Sequence, residues 1–477
     1  MPDPRPNILW ICTDQQRYDT IGGLGNPAIR TPHIDRLMAE GVTFTRTYSQ
    51  SPICTPSRAS FLTGLYPSTL HVNRNGNAFF PAPERLISRL LAGEGYDCGL
   101  AGKLHLSAAN ERVEERCDDG YRFFRWSHHP MPEPYWPTPD HAYQQWLADR
   151  GVRWDEAYGA RQEGGLAPQD EYRPGIAAEH HQTTWCAEEA IAFMRERRDG
   201  PWLMSVNPFD PHPPLDPPAE YLRRMDRSAM PLPLWREAER ESQLAFGAIA
   251  HQTKIPASPD EYDARGMVAA YYAEIELIDD QVGRMLAALE ATGQRENTIV
   301  IYCSDHGEML GDHGLRLKGC RFYEGAVHVP LIVSWPGRVR EGLRSNALVE
   351  LTDLVPTLND LVGRPNPEDL HGRSLAPILT GAADPARHRE FVRCEYHDAL
   401  AQPEASHANM LFDGRFKISV YHGREVGELY DLQEDPEEFH NLWWSGAHAE
   451  VKAALTRRLF DAVMLATDPG QPRVGKF

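Results

Sequence analysis

Three short apolar runs share one plan along the chain. Asn7-Ile-Leu-Trp-Ile-Cys-Thr13 stops at Asp14-Gln15-Gln16-Arg17, and Pro201-Trp-Leu-Met-Ser-Val-Asn207 stops at Phe209-Asp-Pro-His-Pro-Pro214. Asn297-Thr-Ile-Val-Ile-Tyr-Cys-Ser304 stops at Asp305-His306-Gly307. Each run is continuously apolar rather than alternating, the pattern of a strand buried on both faces of a parallel sheet. Between them, Tyr271, Ile275, Ile278, Val282, Met285 and Leu289 recur at spacings of three and four, which predicts a helix over Met267–Leu289. Alternating strands and helices predict an open α/β sheet. Ligands of such sheets bind beyond the carboxyl ends of the strands. The polar clusters that follow the three runs are therefore expected to meet at one edge.

Two regions break this texture. Residues 107–180 carry Trp126, Trp136, Trp146 and Trp154, several prolines, and His128, His129 and His141 with weak periodicity. An insertion of this kind reads as a pocket wall or a subunit contact. From about residue 385 the runs Phe391–Tyr396, Arg415–Tyr421 and Glu428–Leu432 read as short strands ahead of a helix near Ala449–Leu465, a smaller α+β domain. The expected division is 1–380 for the main domain and 381–477 for the small one.

Composition narrows the function. In 477 residues, 49 Lys+Arg against 68 Asp+Glu leave a net charge of −19, which excludes a nucleic-acid backbone as the partner. With 41% hydrophobic residues there is ample material for a packed core. No apolar run approaches the roughly 18 residues of a membrane span; runs such as Pro330–Val333 are short. The N-terminus, Met1-Pro-Asp-Pro-Arg-Pro, lacks the pattern of a secretory signal. The expectation is a soluble, cytoplasmic protein without membrane partners. Eight scattered cysteines with no CxxC pair give no support to a zinc ribbon or thioredoxin-type site. Most read as small buried hydrophobes of a reducing compartment.

Cys54 fits that description badly. In Ser51-Pro-Ile-Cys-Thr-Pro-Ser-Arg-Ala-Ser-Phe-Leu-Thr-Gly64 it precedes a helix start, where backbone N–H groups and the dipole stabilise an anion. Arg58 follows one helical turn later, within reach of an anionic group near position 54. A buried cysteine in a capped helix entry accounts for the same residues equally well on physics alone.

The run Cys54-Thr-Pro-Ser-Arg58 with Thr63-Gly64 resembles the modification motif of the type I sulfatases, in which the cysteine is oxidised to Cα-formylglycine. The resemblance extends from Asn7 through Glu428-Leu-Tyr-Asp-Leu432, Asp435-Pro436 and Asn441-Leu442. It implies an alkaline-phosphatase-like fold: a large mixed, mostly parallel sheet flanked by helices, with a small C-terminal α+β domain. It also implies hydrolysis of an organic sulfate monoester. A hydrated aldehyde is a geminal diol, and one hydroxyl attacks sulfur while the other lets the sulfate be expelled as the aldehyde re-forms. A serine has no such exit.

The same resemblance implies a metal site at Asp14, Gln15, Cys54, Asp305 and His306, occupied by one divalent cation, calcium or alternatively manganese. Gln15 stands where many members have a second Asp and His306 where several have Asn, and fewer carboxylates with one imidazole admit softer ions than calcium. Choline-sulfatase-like and phosphonate-monoester-hydrolase-like members share both departures. Gly102-Lys103-Leu104-His105 matches the family's Gly-Lys-x-His element, with Lys103 on the transferring oxygens and His105 as the base that expels sulfate. His212 of Asp210-Pro-His-Pro-Pro214 contacts sulfate, and Lys318, thirteen residues after Asp305, is the second sulfate-binding lysine. Asn75 is a weaker substrate-binding candidate, since Asn73-Arg-Asn-Gly-Asn77 also reads as a turn. Taken singly, the lysines also read as surface residues and the aspartates as helix caps. His71, Glu308, His313, Arg321 and Glu324 remain unassigned.

Three readings compete. A sulfatase is favoured; a phosphonate monoester or phosphodiester hydrolase using the same site is the alternative. As the family is understood, that branch replaces the Lys and His of the Gly-Lys-x-His element with Tyr and Thr, so Lys103 and His105 point to sulfate. A degenerate homologue that only binds is disfavoured, because every alignable catalytic position holds a competent residue. The expected partners are a small-molecule sulfate or phosphonate ester and a formylglycine-generating maturation enzyme. A homo-oligomer is expected, with the insertion and the tail Pro469–Phe477 against a neighbouring subunit. Pocket walls are expected from residues 107–180 and 215–260, without a motif that names the substrate.

Overall fold

The computed structural model describes residues 5–109, 112–128, 140–153 and 172–467. Trp136, Trp154, His129 and the tail 469–477 lie outside the described residues. In chain order the strands are β1 (Asn7–Thr13), β2 (Gly41–Phe44), β3 (Thr47–Tyr48), β4 (Asp97–Gly102), β5 (Phe123–Trp126), β6 (Trp202–Asn207), β7 (Thr298–Ser304) and β8 (His328–Val329). They continue with β9 (Leu331–Ser334), β10 (Leu343–Ser345), β11 (Val349–Glu350), β12 (Val392–His397), β13 (His407–Phe412), β14 (Phe416–Tyr421) and β15 (Gly427–Asp431). The main sheet has the order β10-β2-β9-β7-β1-β6-β4-β5. Its core, β7-β1-β6-β4-β5, is parallel, and β9 pairs antiparallel with both β7 and β2.

The continuous apolar runs are explained by burial on both faces. Ile8, Trp10 and Cys12 of β1 pack with Ile299, Ile301 and Cys303 of β7 on one side, under the helices Cys54–Thr63 and Leu354–Val362. Leu9 and Ile11 pack with Val300 and Tyr302 on the other, under the helices Gln182–Arg195 and Ala264–Ala291. That last helix starts three residues before the apolar periodicity does, because the Asp263 side chain accepts the Gly266 N–H and caps it. Among the described residues no helix is long and apolar enough to cross a membrane.

The C-terminal region is an antiparallel sheet, β12-β13-β14-β15, backed by the helix Ala449–Leu465. Leu455 and Leu459 of that helix pack on Leu411, Ile418 and Leu429. The opposite face packs against the main body, where Met410 and Tyr421 share a cluster with Tyr48, Ile53, Phe246 and Met309. Strand β13 escapes sequence reading because His407-Ala-Asn-Met-Leu-Phe412 holds no β-branched residue.

Candidate active site

Register brings the two acids together. β1 and β7 pair in parallel to Thr13 opposite Ser304, so Asp14 and Asp305 leave adjacent strand ends side by side. The Gln15 N–H donates to Asp305 Oδ1 at 3.0 Å, and the Asp14 N–H donates to the Asp210 carbonyl at 3.2 Å. At the end of β4 the Lys103 N–H donates to the Asn207 carbonyl at 2.8 Å. Only glycine fits before it: Gly102 has φ +108°, and a Cβ there would lie 1.9 Å from the Asn207 oxygen. Gln15 and His105 adopt positive φ, 68° and 58°, a conformation concentrated at functional sites. The clusters after β1, β6 and β7 thus meet at one edge, joined by the one after β4.

Cys54 heads the wholly buried helix Cys54–Thr63, which ends at Gly64 with φ +75°. Asn75 sits at its entry, its Oδ1 accepting the Thr55 N–H at 2.9 Å, so the side chain holds the helix start beside the site. One turn on, Arg58 points back between the acids: Nε donates to Asp305 Oδ2 at 2.9 Å and a terminal nitrogen to Asp14 Oδ2 at 3.2 Å. Its other terminal nitrogen donates to the Lys103 carbonyl at 3.0 Å, tying the nucleophile helix to the loop after β4.

Asp14, Cys54, Asp305 and His306 each offer a ligand atom, all within 4.8 Å of one another. Gln15 faces the same space, since its Oε1 lies 2.7 Å from Lys318 Nζ. His306 Nδ1 lies 2.9 Å from the Gly307 carbonyl, which turns Nε2 toward Cys54 Sγ at 3.2 Å. Two carboxylates, an amide oxygen and an imidazole whose other nitrogen is anchored form a donor set that fits a divalent cation.

Around position 54 the remaining groups are cationic or imidazole. Lys318 Nζ lies 2.8 Å from Sγ, Lys103 Nζ is ion-paired with Asp14, and the His105 and His212 imidazoles lie close enough to Cys54 to interact with its thiol. Burial alone would push the Cys54 thiol up, but Lys103, Lys318 and His306 outweigh it and hold it well below the ordinary thiol range. Asp14 is likewise raised by burial and more than lowered by Lys103 and Arg58. Burial and Lys103 bring His105 down to about 4, and burial with Lys318 also lowers His212. The arrangement is a site for an anion in contact with position 54.

Two further carboxylates, to which the sequence assigns no role, organise this architecture. Glu114 accepts the His105 N–H at 2.7 Å, the Ser107 N–H at 3.0 Å, the Trp126 indole N–H at 3.0 Å and the Leu106 N–H, so it shapes the whole His105 loop. Glu308, left unassigned from sequence, accepts the Gln15 side-chain amide and the Leu310 and Leu317 N–H groups. Arg321, His313 and Glu324 lie instead where the main body meets the C-terminal region, paired with Glu428, Glu239 and Lys417. His71 is exposed. Of the expected pocket walls, much of 107–180 lies outside the described residues, and 215–260 supplies Leu215, His251, Gln252 and Ile255 to a cavity beside the site.

Comparison with known proteins agrees with this geometry. The family model "Sulfatase" matches residues 6–364, and the model "N-sulphoglucosamine sulphohydrolase, C-terminal" matches 311–464. An arylsulfatase of Clostridium perfringens is 29% identical, with 92% of this chain and 90% of the relative covered. The multifunctional alkaline phosphatase superfamily protein PehA of Trinickia caryophylli is 31% identical over 94% of this chain and 93% of its own. The crystal structure of the phosphonate monoester hydrolase of Agrobacterium radiobacter superposes with a TM-score of 0.79 at 28% identity, covering 97% of this chain and 96% of that one.

Proposed function

The chain belongs to the sulfatase family, and on that premise we propose that it hydrolyses organic sulfate monoesters at position 54. The observation that carries this reading is the ring of two lysines and two imidazoles around Cys54: Lys103, Lys318, His105 and His212 converge there while Asp14, Asp305, Gln15 and His306 form a donor set beside it. Such a ring suits a tetrahedral oxyanion, whose charge it meets where charge develops during transfer.

Each residue has a distinct task in this reading. Lys103 and Lys318 bind the transferring oxygens, His212 stands where the departing alcohol oxygen takes its proton, and His105 takes a proton from the group at position 54. Arg58 neutralises the two buried acids and fixes their spacing, and Asn75 holds the helix that presents residue 54. Asp14, Gln15, Asp305 and His306 would hold a divalent ion, calcium or alternatively manganese, which supplies an acidified nucleophile and charge neutralisation. Cα-formylglycine made from Cys54 by a maturation enzyme would supply the attacking hydroxyl and an internal exit for the bound group.

The second reading, a phosphonate monoester or phosphodiester hydrolase, is favoured by Gln15 and His306 and by the likeness to the Agrobacterium radiobacter enzyme. Lys103 and His105 favour sulfate. Parallel kinetics on an aryl sulfate, an aryl phosphonate monoester and an aryl phosphodiester test the choice, with the sulfate expected to show the highest kcat/KM. Cys54→Ala is expected to abolish turnover of all three with an unchanged circular dichroism spectrum. Retention of a tenth of the rate would contradict the assignment of position 54.

A further inference from the structure

Beside the site lies a cavity of about 320 Å³ walled by Pro213, Leu215, Ile255, Met267, Leu310 and Leu317. We propose that this cavity receives the alcohol portion of the ester and selects an uncharged, apolar alkyl or aryl group; this rests on reading the site as an ester hydrolase. The volume falls within the range of pockets that enclose small-molecule ligands.

Position is the first argument. Pro213 follows His212 and Leu317 precedes Lys318, so the cavity wall begins where two groups facing position 54 end. Glu308, also in the lining, accepts the side-chain amide of Gln15, whose oxygen contacts Lys318 Nζ. A sulfate held among the lysines with its bridging oxygen toward His212 therefore directs its alcohol group along Pro213 into the cavity.

The chemistry of the lining decides the class. Its carboxylate, Glu308, is occupied by three donors, the Leu310 and Leu317 N–H groups and the Gln15 amide, so it is not free to meet a cationic substrate. Its guanidinium, Arg316, stacks over the Tyr262 ring at 5.1 Å rather than standing alone for a carboxylate. Its other polar side chains are uncharged at neutral pH: burial lowers the His251 imidazole below its ordinary value, and the Gln252 amide donates to the Arg316 carbonyl. Among the described residues no Trp, Tyr or Phe lines the cavity, so neither a quaternary ammonium nor a sugar ring finds the broad aromatic face it usually stacks on. Ile255 and Leu317 stand 82% and 45% exposed at its edge, apolar surface that an apolar ligand would cover.

The test has a binding arm and a kinetic arm. Calorimetry of naphthol binding to the Cys54→Ala protein needs no turnover. Naphthol is expected to bind, and Ile255→Asp or Leu317→Asp to weaken binding about tenfold or more, the cost of one apolar side chain lost and a charge introduced. Leu317 has φ +63°, where Asp is well tolerated, so that variant keeps its backbone. In the matured, metal-loaded enzyme, naphthyl sulfate is expected to exceed choline sulfate and a hexose sulfate in kcat/KM, and Ile255→Asp to erase that preference through KM. Absent naphthol binding, equal binding by the variants, or a preference for choline or hexose sulfate would overturn the proposal. If naphthol binds as expected while no sulfate ester is turned over, the sulfatase reading falls and the subsite stands.

Discussion

Asp305 answers three demands with one carboxylate. Oδ1 accepts the N–H groups of Gln15 and His306, Oδ2 accepts Arg58, and the same group is assigned to the metal. Asp305→Asn keeps the shape but removes the charge, leaving buried Arg58 with Asp14 alone. Metal content by elemental analysis is expected to fall below half of the wild-type stoichiometry and turnover to drop about a hundredfold or more; unchanged stoichiometry would withdraw the ligand role. His212→Ala separates proton donation from sulfate binding. If His212 protonates the departing oxygen, the loss should be about a hundredfold for a poor leaving group such as an alkyl alcohol and far smaller for a nitrophenol. Equal losses would reduce it to a sulfate contact. At this scale the sequence was most legible where chemistry restricts residue type. Cys54, Arg58, Lys103, His105, His212, Lys318 and the strand-end acids stand in recognisable runs, and the structure brings them together. Glu114 was not legible, because its role is to accept amides of a loop nine residues away that exists only once folded.

That loop shows how elements, not single side chains, set the geometry of the site. Residues 103–107 leave β4 through Gly102, hold His105 at positive φ, and direct three backbone N–H groups onto Glu114, with the Trp126 indole N–H as a fourth donor. Glu114→Ala strands these donors in a buried setting, at about 1–3 kcal/mol for each one left unsatisfied. The expected result is a fall in kcat of about tenfold or more with KM nearly unchanged, since His105 moves while the sulfate-binding lysines stay. Glu114→Gln, which keeps one acceptor, should recover part of the rate; a purely structural role would lower melting temperature in both variants without the split between kcat and KM. The elements themselves were readable in proportion to how strongly burial shaped them. β1, β6 and β7, apolar on both faces, and the helix Ala449–Leu465 stand within a residue of the sequence reading. The short strands β2, β5 and β10 lack a distinct run, and β13 gains its strand character from the pairing with β12 and β14 rather than from its own residues.

In the whole molecule the C-terminal sheet is docked by buried charge as well as by apolar contact. Arg321, from the segment that carries Lys318, is ion-paired with Glu428 of β15, which also accepts the hydroxyls of Tyr421 and Tyr430. The sequence marked a smaller C-terminal unit, but not this seam, because a long-range pair between Arg321 and Glu428 leaves no local pattern. Both partners are almost wholly buried. Burial raises the Glu428 carboxyl, yet Arg321 and the tyrosine hydroxyls hold it below the 4.5 of a free glutamate. A folded-state value below the unfolded one means that unfolding takes up a proton in this range. The pair therefore contributes its full stability above 4.5 and loses it as pH falls through the lower folded value. Glu428→Gln leaves the guanidinium buried without its counter-charge and is expected to cost roughly 3 kcal/mol at neutral pH, read from urea denaturation midpoints. Because the variant has no carboxyl to protonate, the gap between it and the wild type should narrow when both are measured well below 4.5. A gap of equal size in acid would mean that Glu428 holds the sheet by packing and neutral hydrogen bonds rather than by charge. Since Arg321 lies three residues from Lys318, loss of the pair should also lower sulfate-ester turnover before the main sheet unfolds, linking the fit of the C-terminal region to the floor of the anion site.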